Sequence, residues 1–252
     1  MAWFRTEKGD AVGYPDLIAL MTGSTPFKLS DTKTQATRIP QHMFYGSYYL
    51  EAVDVPQITR IDAYAFCDCN NLEYINLPEL QILSDHGFSC KRAGDLRSTI
   101  NINCPKLSSI GQYGFYDYAA QDPTKTLEFP RVSNIGKYAF ASSSSNYKWQ
   151  LAALVLSFSG GANISENAFS GAEIGTIDAT GQIAFEDNAL SGATVTNLIL
   201  RNSYMSTLVV GGSLGTAPAH IYVNDDLLQD YLDDDDWSQY AAIIDSISNM
   251  PS

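Results

Sequence analysis

Basic residues are scarce in this chain. Its 252 residues include 15 Lys+Arg against 28 Asp+Glu, a formal charge of −13. The shortage is local: residues 151–252 hold one cation, Arg201, against 13 acids, whereas residues 1–150 hold 14 against 15. An acidic half repels phosphate backbones and anionic lipid surfaces, so no nucleic acid partner is expected. Long apolar runs are also missing. The longest, such as Leu151–Leu156, are far too short to span a bilayer, so no membrane insertion is expected. The first 15 residues contain no apolar leader core and neither end carries a lipidation motif, so export would use another route or a signal not in this sequence. Cysteine is limited to Cys67, Cys69, Cys90 and Cys104. Cys67-x-Cys69 is not a usual zinc spacing and has no histidine beside it; buried free thiols are expected, with a Cys90–Cys104 bridge as the alternative.

Linear signatures of catalysis are absent too. His42, His86 and His220 are far apart, and no Ser or Cys lies in a nucleophile-elbow context. Ser159-Gly160-Gly161 and Gly211-Gly212-Ser213 lack the Lys-Ser/Thr of a phosphate loop. Asp233–Asp236 has neither the spaced ligands nor the glycine turn of a calcium loop, and its carboxylates suit the start of a helix. Glu186-Asp187 are adjacent rather than set across a cleft, which leaves glycosidase chemistry unsupported. No metal, cofactor or enzymatic activity is expected; a hydrolase with a site assembled across repeats is the weakest of three readings.

What the sequence has is repetition, and a period of 20–50 residues decides the fold. One register is a pair of large apolar residues five apart: Ile39/Phe44, Ile61/Phe66, Leu83/Phe88, Ile110/Phe115, Ile135/Phe140, Ile164/Phe169 and Phe185/Leu190. The other is an alternating pair: Val53/Val55, Ile75/Leu77, Ile100/Ile102, Leu127/Phe129, Leu154/Leu156, Ile177/Ala179, Leu198/Leu200 and Ile221/Val223. Members of the second recur after 22, 25, 27, 27, 23, 21 and 23 residues. Alternation places Ile75 and Leu77 inward on a strand with Tyr74 and Asn76 outward. The five-residue pair predicts a single helical or 3₁₀ turn on the opposite wall. One such unit cannot enclose a core, but eight stacked at ~4.8 Å bury a column ~35–40 Å long.

Two coils are lengthened by polar loops, Lys91–Thr99 and Ser142–Gln150, with Ser142–Ser145 as an exposed turn. Residues 1–36 carry neither register and are expected to cap the stack, with Leu17–Met21 as an apolar helical turn. Repeats are expected over 37–216. Residues 217–252 are expected to add a last strand at Ile221–Val223, a helix at Asp226–Leu232 begun by Asn224 or Asp225, and a second helix at Trp237–Ile247 begun by Asp236.

The units Ile61-Asp62-Ala63-Tyr64-Ala65-Phe66…Cys69…Leu72…Ile75-x-Leu77-Pro78 and Ile135-Gly136-Lys137-Tyr138-Ala139-Phe140 resemble the BspA-type leucine-rich repeat. The ending Ile221-Tyr222-Val223…Tyr231…Trp237-Ser238-Gln239-Tyr240 resembles the closing segment common on such proteins from gut bacteria and their prophages. The resemblance covers roughly residues 37–250. It departs at Thr124, where leucine is expected, at Ala179, and after Gly211-Gly212, where the anchor pair is hard to place. The expected fold is an α/β solenoid, a right-handed leucine-rich-repeat superhelix with a parallel sheet of about eight short strands and terminal caps. The resemblance implies a surface or secreted protein that adheres to a host or bacterial surface protein or glycan, with no catalytic residues in the repeat. The alternative is a phage virion component, tail-associated, receptor-binding or decorating.

The exposed rows of the sheet are the expected recognition face. One row runs Ala52, Tyr74, Thr99, Thr126, Ala153, Thr176, Asn197 and His220. The next runs Asp54, Asn76, Asn101, Glu128, Val155, Asp178, Ile199 and Tyr222. Tyr74, Asn76, Asn101, Glu128, Asp178, Asn197 and Tyr222 are the candidate ligand-binding residues.

Overall fold

A computed structural model describes residues 4–5, 11–12, 26–30, 36–90, 101–118, 121–143, 148–157 and 160–251. The expected turn at Leu17–Met21, the Lys91–Thr99 loop with Thr99 and Ile100, Ser144, Ser145 and Ser159 lie outside the described residues.

The chain is a parallel β-solenoid of about nine turns with few helices. From Phe27 to Leu208 the coils contribute one strand to a wide face and a shorter one to a narrow face, and the two registers of apolar residues meet between them. The wide face is a four-stranded sheet (Phe27–Ser30, Leu50–Asp54, Tyr74–Asn76, Asn101–Asn103) followed by a six-stranded one (Gln121–Phe129, Gln150–Ser157, Glu173–Thr180, Thr194–Arg201, His220–Val223, Ile244–Ser246). Among the described residues that makes ten strands where about eight were expected. The two additions are Phe27–Ser30, which pairs with Leu50–Asp54, and Ile244–Ser246, which pairs with His220–Val223.

The narrow face differs from the expected helical turn. It is a continuous eight-stranded parallel sheet of two- and three-residue strands, among them Arg38–Ile39, Arg60–Ile61, Ile82–Leu83 and Ser109–Ile110. A helical turn would spend its N–H groups inside one coil. Here they divide. Ala65 and Cys67 N–H close local turns onto Asp62 and Tyr64 carbonyls at 3.2 and 3.3 Å, while Tyr64, Phe66 and Asp68 N–H donate to Asp85, Gly87 and Ser89 of the next coil at 3.0, 2.8 and 2.8 Å. The alternation needs left-handed residues. His42, Tyr64, His86, Tyr113, Tyr138, Asn167 and Asn188, each three after the first anchor of its coil, have φ of 56–59°, and Gly211 continues the row at 68°. A non-glycine residue costs ~1–2 kcal/mol in this conformation, which coil-to-coil bonds and ring contacts offset.

The core is a column. Phe44, Phe66, Phe88, Phe115, Phe140 and Phe169 stack in register, with centroids 5.0, 5.2, 5.4, 5.5 and 5.5 Å apart. Leu190 and Leu214 hold the equivalent place in later coils, both fully buried. The pair that was hard to place after Gly211-Gly212 is Leu208/Leu214, set six apart by one extra residue. Thr124 sits where the sheet register shifts between Asp122 and Thr126, and its N–H and hydroxyl both donate to Asp122 Oδ1. All four cysteines are buried free thiols, and burial pushes Cys104 up to about 12.

The C-terminal end is closed largely by side chains. Ser206 N–H donates to Tyr231 Oη at 2.7 Å, and Trp237 Nε1 donates to Ser206 O at 2.9 Å. Leu214 N–H donates to Tyr240 Oη at 2.7 Å, and Gly211 N–H to Asp236 Oδ1 at 2.9 Å. These groups take the bonds a further coil would have made. The first expected helix is a 3₁₀ turn, Asp225–Leu227, leading into an α-helix, Leu228–Asp233. The second, expected over Trp237–Ile247, is instead a 3₁₀ helix, Ser238–Ile243, that gives way to the strand Ile244–Ser246. Pairing with His220–Val223 overrides the helical spacing there.

Candidate functional site

The register settles which outward side chains are neighbours on the wide face. Ala52 pairs with Tyr74 and Tyr74 with Asn101, while Asp54 pairs with Asn76 and Asn76 with Asn103. Asn101 therefore belongs to the Tyr74 row, two residues from its expected register. The inward pair of that coil is Ile102/Cys104 rather than Ile100/Ile102, because Ile75 pairs with Ile102 and Cys104 is buried. The expected rows hold from Thr126/Glu128 onward, through Ala153/Val155, Thr176/Asp178 and Asn197/Ile199 to His220/Tyr222.

The candidate residues fall into three groups. Tyr74, 41% exposed, and exposed Asn101 share one row, Asn101 Oδ1 accepting from Lys125 Nζ at 3.1 Å, and Glu128 is exposed farther along the sheet. Asn76, Asp178 and Asn197 brace adjacent coils. Asn76 donates to Asp54 Oδ1 at 2.7 Å and accepts from Asn103 at 2.6 Å; Asp178 pairs with Arg201 Nε at 2.8 Å; Asn197 donates to Thr176 Oγ1 at 3.4 Å. Tyr222 is not on an open surface: it is 5% exposed, beside Ile199 at 3% and the His220 ring at 5.9 Å. Alternation alone assigned it outward, and packing at the capped end buries it.

Tyr74 and Asn101 line a depression of about 730 Å³ on the four-stranded sheet. Lys28, Glu51, Asp54 and Glu73 complete its charged rim. The pocket offers an aromatic ring, amide donors and carboxylate acceptors. No sequence signal marks Lys28, because its strand precedes the recognisable repeats.

The narrow face holds a second depression, of about 560 Å³, which sequence reading missed. At its end stand Arg38 and Arg60, direct neighbours in the sheet register. Both Nε atoms bond one buried carboxylate: Arg60 Nε reaches Asp62 Oδ1 at 2.8 Å and Arg38 Nε contacts Asp62 Oδ2. Burial opposes charge on Asp62, but the hydrogen bonds from Arg60 and Arg38 prevail and hold the carboxyl below its ordinary value. The available signal was Arg-Ile repeated 22 residues apart.

A third feature is a half-buried column of rings beside the core. His42, Tyr64, His86, Tyr113 and Tyr138 stack with centroids 5.1, 4.5, 4.6 and 5.0 Å apart. Two histidines far apart in sequence thus share one row, their rings packed against tyrosines. Asp234 and Asp236 serve the cap: Asp234 Oδ1 accepts Asp236 and Trp237 N–H, the role expected of Asp236, which instead bonds Gly211. Among the described residues, no group of three or more His, Cys, Asp or Glu side chains is placed to hold a metal ion.

The repeats match the model of the BspA type leucine rich repeat region in six copies, over residues 37–148 and 94–196. The chain belongs to this family. No curated protein matches the sequence. BspA-type repeats in general suggest protein binding or adhesion, the fold is typically non-enzymatic, and such proteins are often surface or secreted. Among the described residues of this BspA-type protein, no helix is long and apolar enough to cross a membrane.

Proposed function

We propose that this BspA-type protein is a non-enzymatic recognition module that holds a surface protein or glycan against its wide sheet face, outside the cell. The supporting observation is the depression around Tyr74 and Asn101, where an exposed ring is surrounded by Lys28, Glu51, Asp54 and Glu73. A ring edged by carboxylates and amides suits a ligand rich in hydroxyl or cationic groups. Coil-bracing residues on the same face, Asn76 among them, keep that surface rigid, which lowers the entropy lost on binding. In this reading residues 1–36 and 217–252 cap the repeats, and Lys28 of the first cap also edges the recognition depression.

The test is a glycan array and a host-protein pulldown with the whole chain and with Tyr74→Ala. Retention of a partner by the wild type, at least tenfold weaker with Tyr74→Ala at unchanged melting temperature, supports the reading. Equal retention of every partner by wild type and Tyr74→Ala refutes it.

A further inference from the structure

We propose that the narrow sheet carries a separate site for acidic saccharides, built on the Arg38–Arg60 pair. The two arginines occupy the same outward position on adjacent strands, and strand spacing sets their backbones ~4.8 Å apart. Their side chains are 63% and 46% exposed, whereas the Asp62 side chain that joins them is 6% exposed. The negative charge of the trio is therefore sunk and the positive charge presented. Asp62 takes the Nε hydrogen of each guanidinium, which fixes both planes and leaves most of their terminal N–H groups for a ligand. Arg60 Nη2 also lies 3.4 Å from Ser84 Oγ, which braces the second fork further.

Planar guanidinium forks match carboxylate and sulfate oxygens pairwise. Besides the arginines the depression is lined by polar groups, among them Gln41, Ser84, Ser109, Gln112 and Asn134. These suit sugar hydroxyls. A protein partner would call for a pocket that buries an aromatic or aliphatic anchor, and the large apolar side chain exposed in the depression is Ile82, at 36%. Asp85 also lines the depression and accepts the Gln112 N–H at 2.9 Å, and its charge confines the anionic group of the ligand to the arginines. The site lies in the near-neutral half of the chain, away from the acids concentrated after residue 150, so the overall negative charge does not cancel the attraction.

The experiment is an array carrying sialylated, sulfated and uronate-bearing glycans beside their neutral parents. It is probed with the wild type, Arg38→Lys/Arg60→Lys, the triple variant Arg38→Gln/Arg60→Gln/Asp62→Asn, and Tyr74→Ala. The double lysine variant keeps cations beside Asp62 and removes only the forks; the triple variant removes the buried charge together with its partners, so neither strands a lone carboxylate. The expected result is a wild-type signal on acidic glycans in excess of that on their neutral parents, the excess reduced at least tenfold in the lysine variant, abolished in the triple variant and unchanged in Tyr74→Ala. Weakening of the wild-type signal as salt rises is expected as well. No acidic glycan retained, equal signal on neutral parents, or full retention by the triple variant overturns the proposal. Because Tyr74→Ala is silent here, failure of this site and failure of the wide-face site are read separately.

Discussion

Replacing Phe140 with alanine tests the stacked-coil architecture at its centre. The ring is 1% exposed and lies between Phe115 and Phe169, each at 5.5 Å, with Trp149 edge-on at 5.4 Å. Truncating a fully buried phenylalanine costs ~3–5 kcal/mol through lost burial and the cavity left behind. The upper end of that range is expected, because coils on both sides are locked by the same ring and neither can close over the gap alone. Phe169→Ala should cost less by about one aromatic pair, ~0.5–1.5 kcal/mol, since the phenylalanine column ends there and the next coil supplies Leu190. Urea denaturation, followed by far-UV circular dichroism and by Trp149 fluorescence, measures both losses. A cost under about 1 kcal/mol for Phe140→Ala, or an equal cost at both positions, would refute the reasoning.

Other perturbations reach different parts of the molecule. Tyr231→Phe removes only the hydroxyl that accepts the buried Ser206 N–H at 2.7 Å, and should cost ~1–3 kcal/mol in chemical denaturation. An unchanged midpoint would mean that the cap does not close the last coil in this way. Asn188, at φ 59°, should tolerate glycine, whereas Asn188→Val should lose ~1–2 kcal/mol. Equal stability of the two would remove the need for a left-handed residue. Asp62 titrates below its ordinary value in the fold, so the native state binds fewer protons than the unfolded chain around pH 4. Its stabilisation is full above the unfolded carboxylate value of ~3.9 and is lost as pH falls through the folded value. The difference in urea midpoint between wild type and Asp62→Asn should therefore shrink on acidification below about pH 4; a constant difference would contradict the assignment. Asp117, pushed up by burial, works in the opposite direction, its charge costing the fold above the raised value.

The inward side chains were legible because each coil repeats the same demand. Ile61 and Phe66 recur as Leu83 and Phe88 because every coil must cover the one before it, and only large apolar groups do so. Misreadings occurred where that demand relaxes. Ile102 pairs with Ile75 after a loop of altered length, which moved Asn101 into another row. Tyr222 obeys the strand alternation that made it look exposed, yet the capped end covers it. Trp237–Ile247 has helical spacing, but its last part satisfies an open sheet edge as a strand.

The sequence by itself determined that short apolar units stack into a solenoid, since a core bounded by many equivalent coils leaves a periodic trace. Only the tertiary structure decided what its surfaces can hold. Tyr74 with Lys28, Arg38 with Arg60, and His42 with His86 come together from coils that lie far apart in sequence. Hydrogen-bonded neighbours in adjacent coils lie 20–29 residues apart, a distance set by each loop in turn. Outward side chains answer to solvent or to a ligand rather than to the coil below, so packing imposes no rhythm on them.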